Sequence, residues 1–146
     1  MISEQPLALR VKSLNNQIRR LMERTAIEKN KANLTGMQYA ILGFLSEKND
    51  LTDVFQRDIE AEFNIRRSTA TGMLKLLENN SYIRRVSVPD DARLKKIIRT
   101  KKAKELETIV QLHMLEMEGK LTKGIRTEEL QQFYTTLRKI SDNAKE

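Results

Sequence analysis

Apolar side chains recur along most of this chain at intervals of three and four, the spacing of helices buried on one side. From Pro6 to about Asn30, Leu7, Val11, Leu14, Ile18 and Leu21 are separated by alternating four and three residues. That is a heptad seam, and a helix of about 25 residues would be roughly 37 Å long. A small domain cannot bury such a helix along its whole length, so the pattern predicts an arm shared between two subunits, with a core helix of a monomer as the alternative. Thr35 is placed to cap a second helix, in which Met37, Ala40, Ile41, Phe44 and Leu45 form one apolar face before a polar break at Lys48–Asp50. Asp53 is placed to cap a third, with Phe55, Ile59 and Phe63 on its buried side. Asn64 follows where the chain must turn sharply, and Asn tolerates left-handed geometry. A fourth helix, from about Arg67 to Asn79, would turn Ala70, Met73, Leu74 and Leu77 inward.

The pattern then changes. Tyr82, Ile83, Val86 and Val88 predict one strand, and Leu94, Ile97 and Ile98 a second running from Arg93 to Arg99, with a turn at Pro89-Asp90-Asp91. Helical spacing returns from Lys101 through Leu106, Val110, His113, Met114, Met117 and Leu121. A break at Gly124 precedes a last helix with Leu130, Phe133, Tyr134, Leu137 and Ile140 along one side. No internal repeat or low-complexity segment interrupts this order. The predicted fold is mostly α with a minor β part: a winged helix-turn-helix with a two-stranded wing and long N- and C-terminal dimerisation helices. The expected division is an N-terminal helix over 1–33, the winged unit over 34–102 and C-terminal helices over 103–146. The dimer contacts would be Leu7, Val11, Leu14 and Ile18 at one end and Leu130, Phe133 and Leu137 at the other.

The outward face of the fourth helix is polar and small: Arg67, Ser68, Thr69, Thr71, Gly72 and Lys75, with Arg66 just before it. Two short helices joined by a tight turn match the plan that lays its second helix in the major groove of duplex DNA. Hydroxyls at its N-terminal end can bond phosphates or base edges, and Gly72 allows close approach. An ordinary solvated helix would look similar, but the charge distribution favours the first reading. Residues 84–104 hold nine Lys/Arg (84, 85, 93, 95, 96, 99, 101, 102 and 104) against Asp90 and Asp91, a surplus equal to the whole chain's net +7. The positive field is therefore local to the predicted hairpin, where Lys95 and Lys96 are candidates for phosphate contacts. Double-stranded DNA is the expected partner, and a two-fold dimer would suit an inverted-repeat operator.

Other chemistries find little support. There is no cysteine, which excludes disulfides and thiolate sites, and one histidine, His113, at helical spacing with Val110, Met114 and Met117 as a packed or interface residue. No Gly-rich phosphate loop or nucleophile motif occurs. No catalytic residue, metal site or cofactor is expected, and the chain does not read as an enzyme. Met22, Met37, Met114 and Met117 lie on helical apolar faces as core, or as the lining of a ligand pocket. No apolar run approaches the roughly 20 residues of a membrane span, and nothing in the first residues resembles an export signal, so a cytoplasmic protein without membrane partners is expected. A helical protein–protein adaptor and a basic RNA-binding protein remain as rival readings. Three Tyr and four Phe provide few platforms for stacking single-stranded bases.

The segment 59–103 resembles the multiple-antibiotic-resistance regulator (MarR) family of winged helix-turn-helix repressors. The family's wing pattern is Asp-x-Arg, five further residues, then Leu-Thr; here Asp91-Ala92-Arg93 is followed by five residues and Arg99-Thr100. Ser68-Thr69-Ala70-Thr71 and Leu77-Glu78 are also similar, while Asn64 and Ser81 stand where Gly is usual and Arg66-Arg67 where Ser-Pro is common. The resemblance implies that Arg93 is the wing-tip arginine that enters the minor groove. It also implies that Asp91 orients the hairpin or pairs with a nearby Arg; simple turn chemistry is an equal alternative. It further implies a homodimeric repressor released by a small-molecule effector, often phenolic or anionic in the family. The residues themselves identify no effector.

Overall fold

The computed structural model describes residues 5–29 and 34–145. Asn30 and the predicted boundary at 33 lie outside the described residues. The elements follow in the order α1 (Leu7–Lys29), α2 (Gly36–Lys48), α3 (Gln56–Phe63), α4 (Arg67–Asn79), β1 (Ile83–Val88), β2 (Asp91–Arg99), α5 (Lys101–Glu105), α6 (Glu107–Thr122) and α7 (Thr127–Ala144). The chain forms two compact units, Met1–Met114 and Leu115–Glu146, the division falling inside α6. None of the described helices is long and apolar enough to cross a membrane.

Local chemistry explains most boundaries. The Thr35 hydroxyl accepts the Gln38 N–H, and the Gln38 side chain accepts the Thr35 N–H in return, closing both ends of a capping box on α2. Asn64 ends α3 in the left-handed region at φ 48°, and Ser81 takes φ 65° between α4 and β1. Both are positions where Gly is usual in the resembled family, and the backbone there has the conformation that glycine serves. Gly124, at φ 76°, separates α6 from α7.

Several expectations need correction. Asp53 does not cap α3: Phe55 occupies that position, and the carboxylate of Asp58, three residues on, accepts its N–H at 2.8 Å. Asp53 instead faces Lys96 at 3.7 Å. The second helix is not buried on one face only, because Gly36, Gln38, Tyr39, Leu42 and Gly43 are buried with Ala40, Ile41 and Leu45. It runs through the middle of the first unit, flanked by α1 and by the end of β2. The helical stretch after Thr100 is two helices, since the chain turns at Leu106. Met114 is exposed, whereas Met117 is buried and His113 is packed, its ring stacked 4.7 Å from that of Tyr39. Burial raises the pKa of Tyr39 above its ordinary value, with Tyr82 adding to the effect.

The first unit closes over Ile41, Leu45, Ile59, Leu74, Ile83 and Ile97. In its sheet Ile83 pairs with Arg99 and Ser87 with Lys95, antiparallel, and then Val88 pairs with Asp91 across a two-residue turn. Ala92, Arg93 and Leu94 therefore bulge from the ladder. The Ile97 N–H also donates to the Val54 carbonyl at 2.7 Å, tying β2 to the connection before α3.

Where α1 crosses α2, a Cβ on Gly36 would lie 2.6 Å from the Cβ of Met22. Neither position can retreat without moving a helix. Gly36→Ala is accordingly expected to lower stability by about 1–3 kcal/mol, as overpacking does, read as a lower urea midpoint with an unchanged slope. In the second unit, Tyr134 Oη lies 3.4 Å from Glu118 Oε1, and no residue of α7 is buried.

Candidate nucleic-acid interface

Ala70, Leu74 and Leu77 fix α4 to the core, which leaves Arg67, Ser68, Thr69, Thr71, Gly72 and Lys75 exposed on its other side, with Arg66 exposed at the N-cap. Nothing lies within 4 Å of where a Gly72 side chain would begin, so no packing inside the chain demands glycine there. Thr71 is not wholly uncommitted: its hydroxyl accepts a 2.9 Å hydrogen bond from Gln56 Nε2, which also donates to the Arg67 carbonyl at 3.3 Å. These bonds set the first turn of α4 against α3 and leave the hydroxyl proton of Thr71 able to donate.

On the wing, Asp91 acts on the main chain. Its Oδ1 accepts the Arg93 N–H at 2.9 Å, an Asx-type turn that holds the bulge in shape. Arg93 is thus displayed from the bulge just beyond the tip, and β2 begins at Asp91, two residues before the expected Arg93. The two candidate lysines part company. Lys95 is exposed, while Lys96 is half-buried against Asp53.

Of the nine cations in 84–104, four have a partner within 4 Å among the described residues, Arg85 the loosest. Besides Lys96, Arg85 faces Glu78 at 3.9 Å, Arg99 faces Glu107 at 3.2 Å, and the Lys102 ammonium donates to the Asn80 carbonyl at 2.9 Å. Lys102 also lies 4.4 Å from the centre of the Tyr82 ring, closing the C-terminus of α4. Arg67, Arg93 and Lys95 come together in one groove between the start of α3, the start of α4 and the wing. Arg57 and Arg85 line it too. Sequence reasoning left both off the list of contacts; Arg85 belonged to the basic run, whereas nothing local marks Arg57. Among the described residues no group of three or more His, Cys, Asp or Glu is arranged to hold a metal ion.

The MarR family profile matches residues 32–94. The solved structure of the transcription regulator MarR from Oenococcus oeni PSU-1 is 33% identical, covering 94% of this chain and 99% of its own, with a TM-score of 0.78. This chain belongs to the MarR family. The family is one of transcription regulators, not enzymes. Two further MarR-like structures share the fold at lower identity. The MepR–DNA complex of S. aureus is 21% identical over 97% of this chain and 99% of that one, with a TM-score of 0.83. A Listeria monocytogenes regulator complexed with 26mer DNA is 18% identical over 96% and 89%, with a TM-score of 0.78. No curated protein sequence matches.

Against the MarR wing pattern, the departure at Arg99 has a structural answer. Arg99 is buried where the pattern has Leu, its guanidinium facing Glu107 Oε2 on α6. Ser46 at the end of α2 donates to the other carboxylate oxygen at 3.1 Å. Asn49 accepts the Arg99 N–H and donates to the Ile97 carbonyl, both at 3.1 Å. An ion pair with a polar surround thus replaces an apolar plug at the wing base, although neither Nε nor Nη1 of Arg99 makes a hydrogen bond among the described residues.

Proposed function

We propose that this MarR-family chain is a cytoplasmic, homodimeric repressor that binds an inverted-repeat operator in double-stranded DNA and is released by a small-molecule effector. The observation that carries the reading is the convergence of Arg67, Arg93 and Lys95 on one groove beside the uncovered polar face of α4. In this reading Arg66, Arg67, Ser68, Thr69, Thr71 and Lys75 meet the major groove, Arg93 enters the minor groove, and Lys95 holds phosphate. Residues 34–102 bind DNA, while 1–33 and 103–146 dimerise. Support for dimerisation comes from apolar side chains left exposed, Leu7, Val11 and Leu14 on α1 and Phe133 and Leu137 on α7, with Ile18 and Leu130 half-buried beside them. For the effector, a cavity of about 350 Å³ opens among Ile18, Met22, Met37 and Met73, within the size range of small-ligand sites. Met73 lies on α4 itself, so an occupant there would touch the reading helix from behind.

Titration of a selected operator and a random duplex at several salt concentrations tests the DNA reading. Ser68→Ala or Lys75→Ala should cost about 1–3 kcal/mol on the operator and little on random DNA. Arg93→Ala should weaken binding most where the minor groove is narrow and A/T-rich. Lys95→Ala should weaken all sequences alike and reduce the salt slope by about one unit per subunit. Wild-type affinity and preference in all of these variants would reject α4 and the wing as the DNA-reading surface.

A further inference from the structure

The groove beside the wing holds more positive charge than that reading uses. Arg57 and Arg85 line it with Arg67, Arg93 and Lys95, facing one carboxylate, Glu60. Within the protein these cations are poorly neutralised. The Arg57 guanidinium lies over the Phe55 ring, 4.9 Å from its centre, a contact that fixes its position without engaging its N–H donors. The Arg85 Nε is buried with no hydrogen-bond partner, and the nearest carboxylate oxygen, of Glu78, is 3.9 Å away, beyond hydrogen-bonding reach. Concave clusters of one sign focus potential and attract the opposite charge. Guanidinium forks match phosphate oxygens in particular.

The groove's walls say which phosphates. One wall carries the start of α4 and the other carries Arg93. In duplex DNA the strand between a major groove and its neighbouring minor groove is a phosphate backbone. A protein that reads both grooves at once must let that strand pass between its two readers. We infer that this groove clamps that strand, with Arg57 and Arg85 as its phosphate ligands. The inference rests on the DNA reading above and adds two residues to it, one on a helix outside both the recognition helix and the wing.

Arg57→Met and Arg85→Met, singly and together, test it, because Met keeps an apolar body over Phe55 and removes only the charge. A matching pair of Gln variants serves should the Met forms melt early. Each phosphate contact contributes about 0.9 to the salt slope, so the double variant should lose about two units of slope per subunit, or about four for the bound dimer. Between 50 and 200 mM salt, the affinity of the wild-type dimer should then fall roughly a hundredfold more than that of the double variant. The loss should be equal on operator and random duplex, with base preference intact. An unchanged slope in folded variants, while the wild type binds DNA, would overturn the clamp and leave the DNA reading standing. A wild type that binds no duplex at low salt would overturn the DNA reading, and the clamp with it. Inorganic phosphate saturating the groove below 1 mM, with the DNA slope unchanged in the variants, would reassign the site to a free anion and reject the clamp.

Discussion

Leu14→Asp is expected to convert the protein to monomers and to lower its affinity for an inverted-repeat operator by about a hundredfold or more, the loss that follows when linked sites bind singly. Leu14 is 46% exposed and stands between Val11 and Ile18 on the heptad seam of α1. An aspartate there costs little while the side chain faces water, but burying it in an apolar contact is strongly unfavourable. The penalty thus falls on the dimer and spares the subunit. Leu51, 82% exposed in the connection before α3 and away from any seam, supplies the control, since Leu51→Asp should change nothing. Ile18 is the poorer target because it also lines the cavity against Met22 and Met73. Sedimentation decides the matter. A wild-type monomer at tens of micromolar protein, or a dimer that survives Leu14→Asp, would defeat the arm model.

The second large effect is expected at the wing base. Arg99→Ala should destabilise the fold by about 2–3 kcal/mol, no more than the bottom of the range for a broken buried pair, because Glu107 remains 36% exposed and partly solvated. Glu107→Gln should cost at least as much, since it strands a charge on Arg99, which is only 4% exposed. Arg99→Leu, the residue of the MarR pattern, should stay within about 1 kcal/mol of wild type, because apolar burial replaces the lost attraction and Ser46 still holds the carboxylate. Urea unfolding of the three variants reads the order directly. Equal losses in Arg99→Ala and Arg99→Leu would show that the charge itself is needed rather than a filled site.

Features decided within a few residues were legible in the sequence. The Thr35 cap, the left-handed Asn64, the limits of α4 and the two wing strands each follow from side chains next to the backbone they control. What was not legible depended on partners distant in sequence. Asp53 and Asp58 both fit a helix start, and only Lys96 on the returning strand draws Asp53 away. The all-round burial of α2 reflects what surrounds it, which its own periodicity cannot report. Lys95 and Lys96 look interchangeable in a basic run, yet strand alternation sends one to the groove and the other to a carboxylate. Arg57 joins the candidate interface only because α3 packs beside the wing.

The bonds that fasten β2 to the body have a consequence for the DNA. Ile97 is held by Val54 and Asn49, and Arg99 by Asn49 and Glu107, so the strand's base is tied to the end of α2, the connection before α3 and the start of α6. On the proposed DNA reading the chain therefore behaves as a gauge whose two readers, the polar face of α4 and the wing, are mounted on a fixed base, with play only in the bulge. On that reading a half-site would place its narrow-groove step at one set offset from the bases met by α4. Moving that step by a single base pair shifts it about 3.4 Å along the axis and rotates it around the duplex. Only Ala92, Arg93 and Leu94, outside the ladder, are left to follow it. On the proposed reading, spacing within each half-site would be set by protein geometry as well as by base identity.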